Sequence, residues 1–260
     1  MDEARLQESA DRNVLGMLRH FALHSTGAEL HEDASLLLTT APTPMASAYH
    51  DAAIRLVAEA DPHEVLARTR EFGRRHERRM VLWASDYRDA DLTHAATALD
   101  MPVLPSVTGM WLAAPPQKPG TLPGVEIIEV VDETGVSAFE EIHESIFTDN
   151  GQPTEGVAHF ATAGALLSAN ARAFVLHLDG QPAACAMAVC TGREAGIYWV
   201  GTRRSTRRQG LGEIATRVAA IAAFELGADI VVLQATNMAV ALYRRIGFTS
   251  FATYLRHLVG

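Results

Sequence analysis

"RRSTRRQGLGEIATR", residues 203–217, is the stretch on which the fold is decided. Arg203, Arg204, Arg207 and Arg208 crowd a short loop, Gly210 and Gly212 follow, and an amphipathic helix begins at once. Ile214, Val218 and Ile221 share one face of that helix, and Gly227 stops it. Glycines at the entry strip side chains from the turn and leave amide N–H groups pointing outward. A helix N-terminus carries about half a positive charge and binds anions. Guanidinium forks match phosphate oxygens. The run directly follows an apolar strand, "EAGIYWVGT", which is where open α/β sheets hold their ligands. These features together point to a phosphate-bearing ligand, above all a diphosphate. A P-loop is excluded because no Gly-Lys-Ser/Thr closes the run. A dinucleotide fold is disfavoured by the few glycines and by an antiparallel meander upstream. The bland alternative is a solvated basic loop capping a helix.

Outward from this loop, residues 125–260 alternate regularly. "VEIIEVV" is a strand, and Asp132 caps a helix over "DETGVSAFEEIHESIF". A second helix is expected over "GVAHFATAGALLSA", then a hairpin turning at Asp179-Gly180, then the strand before the arginine loop. "ADIVVLQA", continuously apolar, is a strand covered on both faces. "MAVALYRRIGF" is a short helix and "TSFATYLRHL" a last strand. "PPQKPGTLPG", residues 115–124, can hold neither helix nor central strand and marks a linker. Before it, "EFGRRHERRMVLWASDYRDADLTHAATALDMPVLPSVTGMWLA" is helix, strand, acidic break, helix, strand. Phe72 precedes Val81 by the spacing that separates Phe224 from Leu233, and Leu99-Asp100-Met101 echoes Ile246-Gly247-Phe248. The expectation is a degenerate internal repeat: residues 1–114, a linker at 115–124, and a second domain over 125–260.

Composition narrows the function. Twenty-two basic against 31 acidic residues give a net charge of −9, which argues against nucleic-acid binding and suits a cationic substrate. No apolar run reaches the ~20 residues of a membrane helix. "MDEARLQESADRN" lacks a signal-peptide core, so the expected location is cytoplasmic and no membrane partner is expected. Disorder is expected, if anywhere, near this start. Cys185 and Cys190 fall on opposite faces of one strand, too far apart for a disulfide. His20 and His24 have the one-turn spacing of a metal pair, but no third ligand accompanies them and no metal is expected.

Two motifs at this separation resemble those of the GCN5-related N-acetyltransferases (GNAT). Arg207-Arg208-Gln209-Gly210-Leu211-Gly212 is similar to their Gln/Arg-x-x-Gly-x-Gly/Ala run, and "NMAVALYRRIGF", with Asn237, Tyr243 and Gly247-Phe248, to their later motif. The resemblance implies an α/β (α+β) GNAT fold, a mixed, mostly antiparallel sheet flanked by helices, with a smaller degenerate GNAT-like N-terminal domain. It further implies acetyl-CoA as cosubstrate, with no metal. The backbone of Val200, Gly201 and Thr202 would pair with the pantetheine arm, which requires the flanking strands to splay, a bulge being the usual device. Arg207, Arg208, Gln209, Gly210, Leu211 and Gly212 would wrap the pyrophosphate. Asn237 would hold the cofactor arm or the carbonyl region. In the first half no such arginine–glycine run precedes the helix, and Ala96 falls where Tyr243 would, so one working site is expected.

The implied reaction is acetyl transfer to a small-molecule or peptide amine. Tyr243 is the candidate acid for the departing thiolate, and packing is its bland alternative role. The family's glutamate on the strand before the loop is missing; Glu194 and Tyr198 are the nearest substitutes, and a water chain or an amine of low pKa would also serve. The competing reading is a non-catalytic acyl-CoA sensor or partner-binding module. The resemblance places acceptor specificity within residues 132–170, where acidic residues cluster, and in added domains. Monomer and homodimer both stay open.

Overall fold

The computed structural model describes residues 2–43 and 50–260. In chain order the first half comprises α1 (Glu3–His24), β1 (Glu29–Glu32), β2 (Leu36–Thr40), β3 (Ala52–Arg55), α2 (Pro62–Arg75), β4 (Met80–Ser85), α3 (Ala90–Ala98) and β5 (Val103–Leu112). An irregular segment follows. The second half comprises β6 (Val125–Glu129), α4 (Glu133–Asp149), a 3-10 turn (Thr154–His159), α5 (Ala163–Leu166), β7 (Ala171–Leu178), β8 (Gln181–Thr191) and β9 (Glu194–Thr202). After a short 3-10 turn (Arg204–Thr206) come α6 (Leu211–Glu225), β10 (Ile230–Ala235), α7 (Val240–Ile246) and β11 (Thr249–Val259).

The eleven strands of the described residues form one sheet, ordered β1-β2-β3-β4-β11-β5-β10-β9-β8-β7-β6. Among the described residues, only β3–β4 and β9–β10 are parallel pairs. The two halves exchange strands: β5 lies between β11 and β10, and β11 lies between β4 and β5. Reading outward from the β11–β5 pair, β4 mirrors β10, β3 mirrors β9, and β2 mirrors β8. Both exchanged strands are long, and their ladder runs from Thr249↔Trp111 to His257↔Val103 with two register shifts. Those backbone bonds cannot form within either half alone.

Side-chain alternation sorts the core into two layers. Val231 and Leu233 face α6 and α7, while Ile230 and Val232 face Leu6 and Ala10 of α1. Thus the apolar run of β10 is covered on both faces, once by a helix from the other half. Leu6, Ala10, Val14, Met17, Leu18 and Phe21 form the buried stripe of α1, and Asp2 caps it by accepting from the Arg5 N–H at 2.9 Å. The chain start is therefore helical, contrary to the disorder its composition allowed. Fully burying each such large apolar side chain contributes about 1.5–3 kcal/mol. Cys185 and Cys190 belong to opposite layers and are free thiols.

The helix expected over residues 156–169 is broken. Thr162 caps a new short helix by accepting from the Ala165 N–H at 3.1 Å, and Phe160 leaves the helical path to stack on Trp199. Their ring centroids lie 3.4 Å apart. Tertiary burial of an aromatic ring has overridden local periodicity there.

Candidate active site

β9 and β10 pair only over Ile230↔Glu194, Val231↔Ala195 and Val232↔Gly196. Beyond that point the strands part. The cause lies on the other side of β9, where Cys185 faces Gly201 but Met187 faces Tyr198, so Trp199 and Val200 together oppose Ala186. This is a β-bulge, and Trp199 sits in it with φ +51°. The bulge bends β9 away from β10 and leaves Val200, Gly201 and Thr202 along the slot. A Cβ on Gly201 would come within 2.9 Å of Ile146 Cδ1 and 3.1 Å of Cys185 Sγ, so this strand needs glycine beneath the bulge.

At the mouth of the slot lies the arginine loop. Gly210 takes φ +83° and ψ −5°, a left-handed turn open to a residue without Cβ, and α6 starts immediately after it. Among the described residues, the amide N–H groups of Arg208, Gln209, Gly210, Leu211 and Gly212 make no hydrogen bond. Successive unpaired amides at the positive end of a long helix form a cradle for an anion. The loop is pinned from behind: Arg203 pairs with Glu141 of α4, Arg207 Nε donates to the Thr202 carbonyl at 3.2 Å, and Thr206 Oγ1 donates to the Ala183 carbonyl at 3.3 Å. Arg204, Arg207 and Arg208 are exposed beside it. The proline-rich segment forms a second wall, held where Arg217 donates to the Gln117 carbonyl at 3.4 Å. A cavity of about 400 Å³ separates the two walls, lined by Lys118, Gly120, Gln209, Gly210 and Arg217 among others. Lys118 is the chain's single lysine.

Tyr243 is buried on the α6 side of the sheet, in the cluster that holds Leu211 and Ile214, with its ring 5.9 Å from Phe248. Asn237 is exposed in the turn that ends β10. Glu194 lies at the far end of β9 from the bulge, where Arg12 pairs with it at 2.6 Å. Tyr198 donates to Asn13 Oδ1 at 2.5 Å. Neither substitute base reaches the bulge with an uncommitted proton acceptor. His20 meets the Ala165 carbonyl at 3.1 Å, and no group of three or more His, Cys, Asp or Glu able to hold a metal occurs among the described residues.

Two side chains went unforeseen. His143 of α4 sits under the bulge, its Nε2 3.0 Å from the Trp199 carbonyl oxygen; its place in the apolar stripe with Phe139, Ile142 and Ile146 was the sequence signal. Gln234, next to last in β10, has both amide atoms buried and without a hydrogen-bond partner among the described residues. Such a group costs about 1–3 kcal/mol unless a ligand pairs with it.

The mirrored position in the first half is filled. β3 and β4 also pair in parallel over three residues, but Arg55 at the end of β3 occupies the space beyond. Its guanidinium binds Asp89 at 3.0 Å and Asp91 at 2.7 Å, and donates to the carbonyls of Ala60 and Arg88, each at 3.2 Å. The side chains of Arg55 and Asp89 are both fully buried.

Residues 136–248 match the family model described as Acetyltransferase (GNAT) family. Solved structures agree on the fold. A GCN5-related N-acetyltransferase from Kribbella flavida is similar with a TM-score of 0.73 at 21% identity, over 95% of this chain and 93% of that one. One from Sphaerobacter thermophilus gives 0.64 at 15% identity, over 96% and 92%. A tandem GNAT protein from the clavulanic acid biosynthesis pathway gives 0.62 at 14% identity, over 96% of each chain. No curated relative matches the chain.

Proposed function

We propose that this protein is an acetyl-CoA-dependent N-acetyltransferase with one working site, in its second half. The observation that carries the reading is the row of unpaired amides from Arg208 to Gly212, set at the mouth of the slot where β10 leaves β9. The glycines keep the cradle clear of side chains at two of its positions, and the arginines supply counter-charge for a pyrophosphate. The edge of Val200, Gly201 and Thr202, which β10 no longer pairs, suits an extended amide-bearing arm, which would add to β9 as a short strand. Asn237 stands at the slot's other bank.

Acyl-CoA supplies a thioester activated towards amines. The chain's own residues orient its carbonyl beside the bulge and deliver a proton to the departing sulfur. Tyr243 is the donor in this reading: a thiol has a pKa near 8.5, so a weak acid suffices. An amine enters from the face of α1 and α4, where Gln234 offers an unpartnered amide. The net charge of −9 favours a cationic small-molecule or peptide acceptor arriving from solution, in a cytoplasmic setting.

The first half reads as a degenerate GNAT-like domain. The mirrored strand order supports this, as does Arg55 lying where a cofactor arm would otherwise run. The similarity to a tandem GNAT protein points the same way.

Acetyl-CoA turnover against a panel of polyamines, amino sugars and peptide N-termini tests the activity. Tyr243→Phe is expected to lower kcat about 10- to 100-fold with little change in KM for acetyl-CoA, a modest general-acid effect because the leaving group is good. Unchanged turnover across the pH range would remove Tyr243 from the role. The commitment of Glu194 to Arg12 favours a second reading, a non-catalytic acyl-CoA sensor; binding of acetyl-CoA without turnover of any amine would select it.

A further inference from the structure

His143 is fully buried between Phe139, Phe160 and Trp199, with its ring perpendicular to both Phe160 and Trp199. A carbonyl oxygen can only accept, so the 3.0 Å contact with Trp199 places the imidazole proton on Nε2. Burial holds the ring neutral, with its pKa pushed down to about 4. Cys185 Sγ, 3.3 Å from the same nitrogen, also donates to the Trp199 carbonyl at 3.8 Å, which marks the direction in which that carbonyl points. That direction is out of the sheet, towards α4.

Trp199 holds φ +51°, a region that side chains other than Gly, Asn and Asp seldom enter. Such a conformation persists only where its surroundings enforce it. Here the enforcement includes the indole stack on Phe160, the hydrogen bond from His143 and the longer one from the Cys185 thiol. A peptide unit is planar and trans, so its carbonyl and the following N–H point in opposite directions. With the Trp199 carbonyl drawn towards α4, the Val200 N–H is aimed at the other face, the side of α6 and Tyr243.

We propose that His143 is a positioning residue: by holding the Trp199 carbonyl it turns the Val200 N–H into the donor for the thioester carbonyl oxygen. This rests on the acetyltransferase reading above. Without that hydrogen bond the weaker thiol donor of Cys185 is left to hold the carbonyl, and the 199–200 peptide turns over more readily, which would present a carbonyl oxygen to the thioester oxygen and repel it.

The test uses the full chain, with acetyl-CoA and CoA as probes, so that no acceptor is required. Calorimetry on the wild type comes first; failure to bind either probe would defeat the acetyltransferase reading itself. Given binding, His143→Phe is expected to lower the ratio Kd(CoA)/Kd(acetyl-CoA) about fivefold, the worth of one hydrogen bond, with Kd for CoA nearly unchanged. His143→Gln, whose amide can reach the same carbonyl, is expected to stay within about twofold of wild type. Infrared difference spectra of carbonyl-¹³C acetyl-CoA should show a lowered stretching frequency on wild type and His143→Gln, and not on His143→Phe. In the wild-type chain the Val200 amide proton should move downfield with acetyl-CoA but not with CoA, a readout that needs no variant to fold. A ratio and spectrum unchanged in His143→Phe, equal losses in both variants, or an unmoved Val200 resonance would each overturn the assignment while leaving the acetyltransferase reading intact.

Discussion

Gly212→Asp is expected to weaken acetyl-CoA binding about a thousandfold while leaving the fold as stable as before, or slightly more so. Gly212 lies in the first turn of α6, where a carboxylate favours the helix by about 0.3–1 kcal/mol. The new Cβ would lie 3.1 Å from Thr202 Oγ1, a tight contact that rotation of one hydroxyl relieves. For a diphosphate the same change is severe. The carboxylate competes for the amides of the cradle and stands within a few ångströms of two phosphates. Each such repulsion is worth about 1–4 kcal/mol at 4 Å, between bulk water and a protein surface. Stability and binding thus move in opposite directions, which a general unfolding defect cannot produce. Thermal unfolding and calorimetry on one preparation measure both. Binding within threefold of wild type would show that the anion sits elsewhere, and the functional reading would go with it.

How far the sequence foretold this site depends on the range of the interactions. The cradle was legible because its information is local: Gly210 and Gly212 at the head of a periodic helix, arginines before them, and an apolar strand upstream. The turn at Asp179-Gly180, the cap at Asp132 and the irregular 115–124 segment were legible for the same reason. The strand exchange was not. "VLPSVTGMWL" and "TSFATYLRHLV" each announce a strand, but no feature of either says that β5 must lie between β10 and β11. Pairing depends on partners more than a hundred residues apart, and on a mirrored arrangement that only the assembled sheet expresses. The location of the bulge was hidden too: Trp199 is an unremarkable β-former, and its positive φ exists because Phe160 and His143 hold it there. Phe160 had looked like one turn of a helix. Glu194, one of the near substitutes for the missing strand glutamate, is spent on Arg12 of α1, a pairing between halves that local sequence does not announce. Among the described residues, no helix is long and apolar enough to cross a membrane, in line with the hydropathy of the chain.

Arg55→Met is expected to destabilise the protein by about 3–5 kcal/mol without touching the cradle. Arg55 carries a full charge with none of its side chain exposed, and Asp89, equally buried, balances it. Asp89 also accepts from the Ser85 amide at 2.9 Å and from the Ser85 hydroxyl at 3.0 Å, tying the end of β4 to the start of α3. Removing Arg55 leaves Asp89 with Arg88 as its cation, at 3.2 Å and less buried, so the fully buried carboxylate is under-compensated, and that penalty exceeds the worth of the pair itself. The double variant Arg55→Met/Asp89→Asn should therefore recover much of the loss, because no isolated charge remains; urea unfolding of the two variants beside wild type measures the coupling. Asp91 serves as a contrast. It is half exposed, so Asp91→Asn should cost under about 1 kcal/mol. Its carboxyl is held below the usual aspartate range chiefly by the hydrogen bond from Arg55, so the stability it adds is complete above about pH 4 and fades as pH falls through the lowered value. If Arg55→Met and the double variant lose the same stability, the guanidinium is filling space rather than neutralising Asp89. If Arg55→Met instead opened a second acetyl-CoA site, visible as a stoichiometry of two, the first half would be a plugged transferase rather than a scaffold.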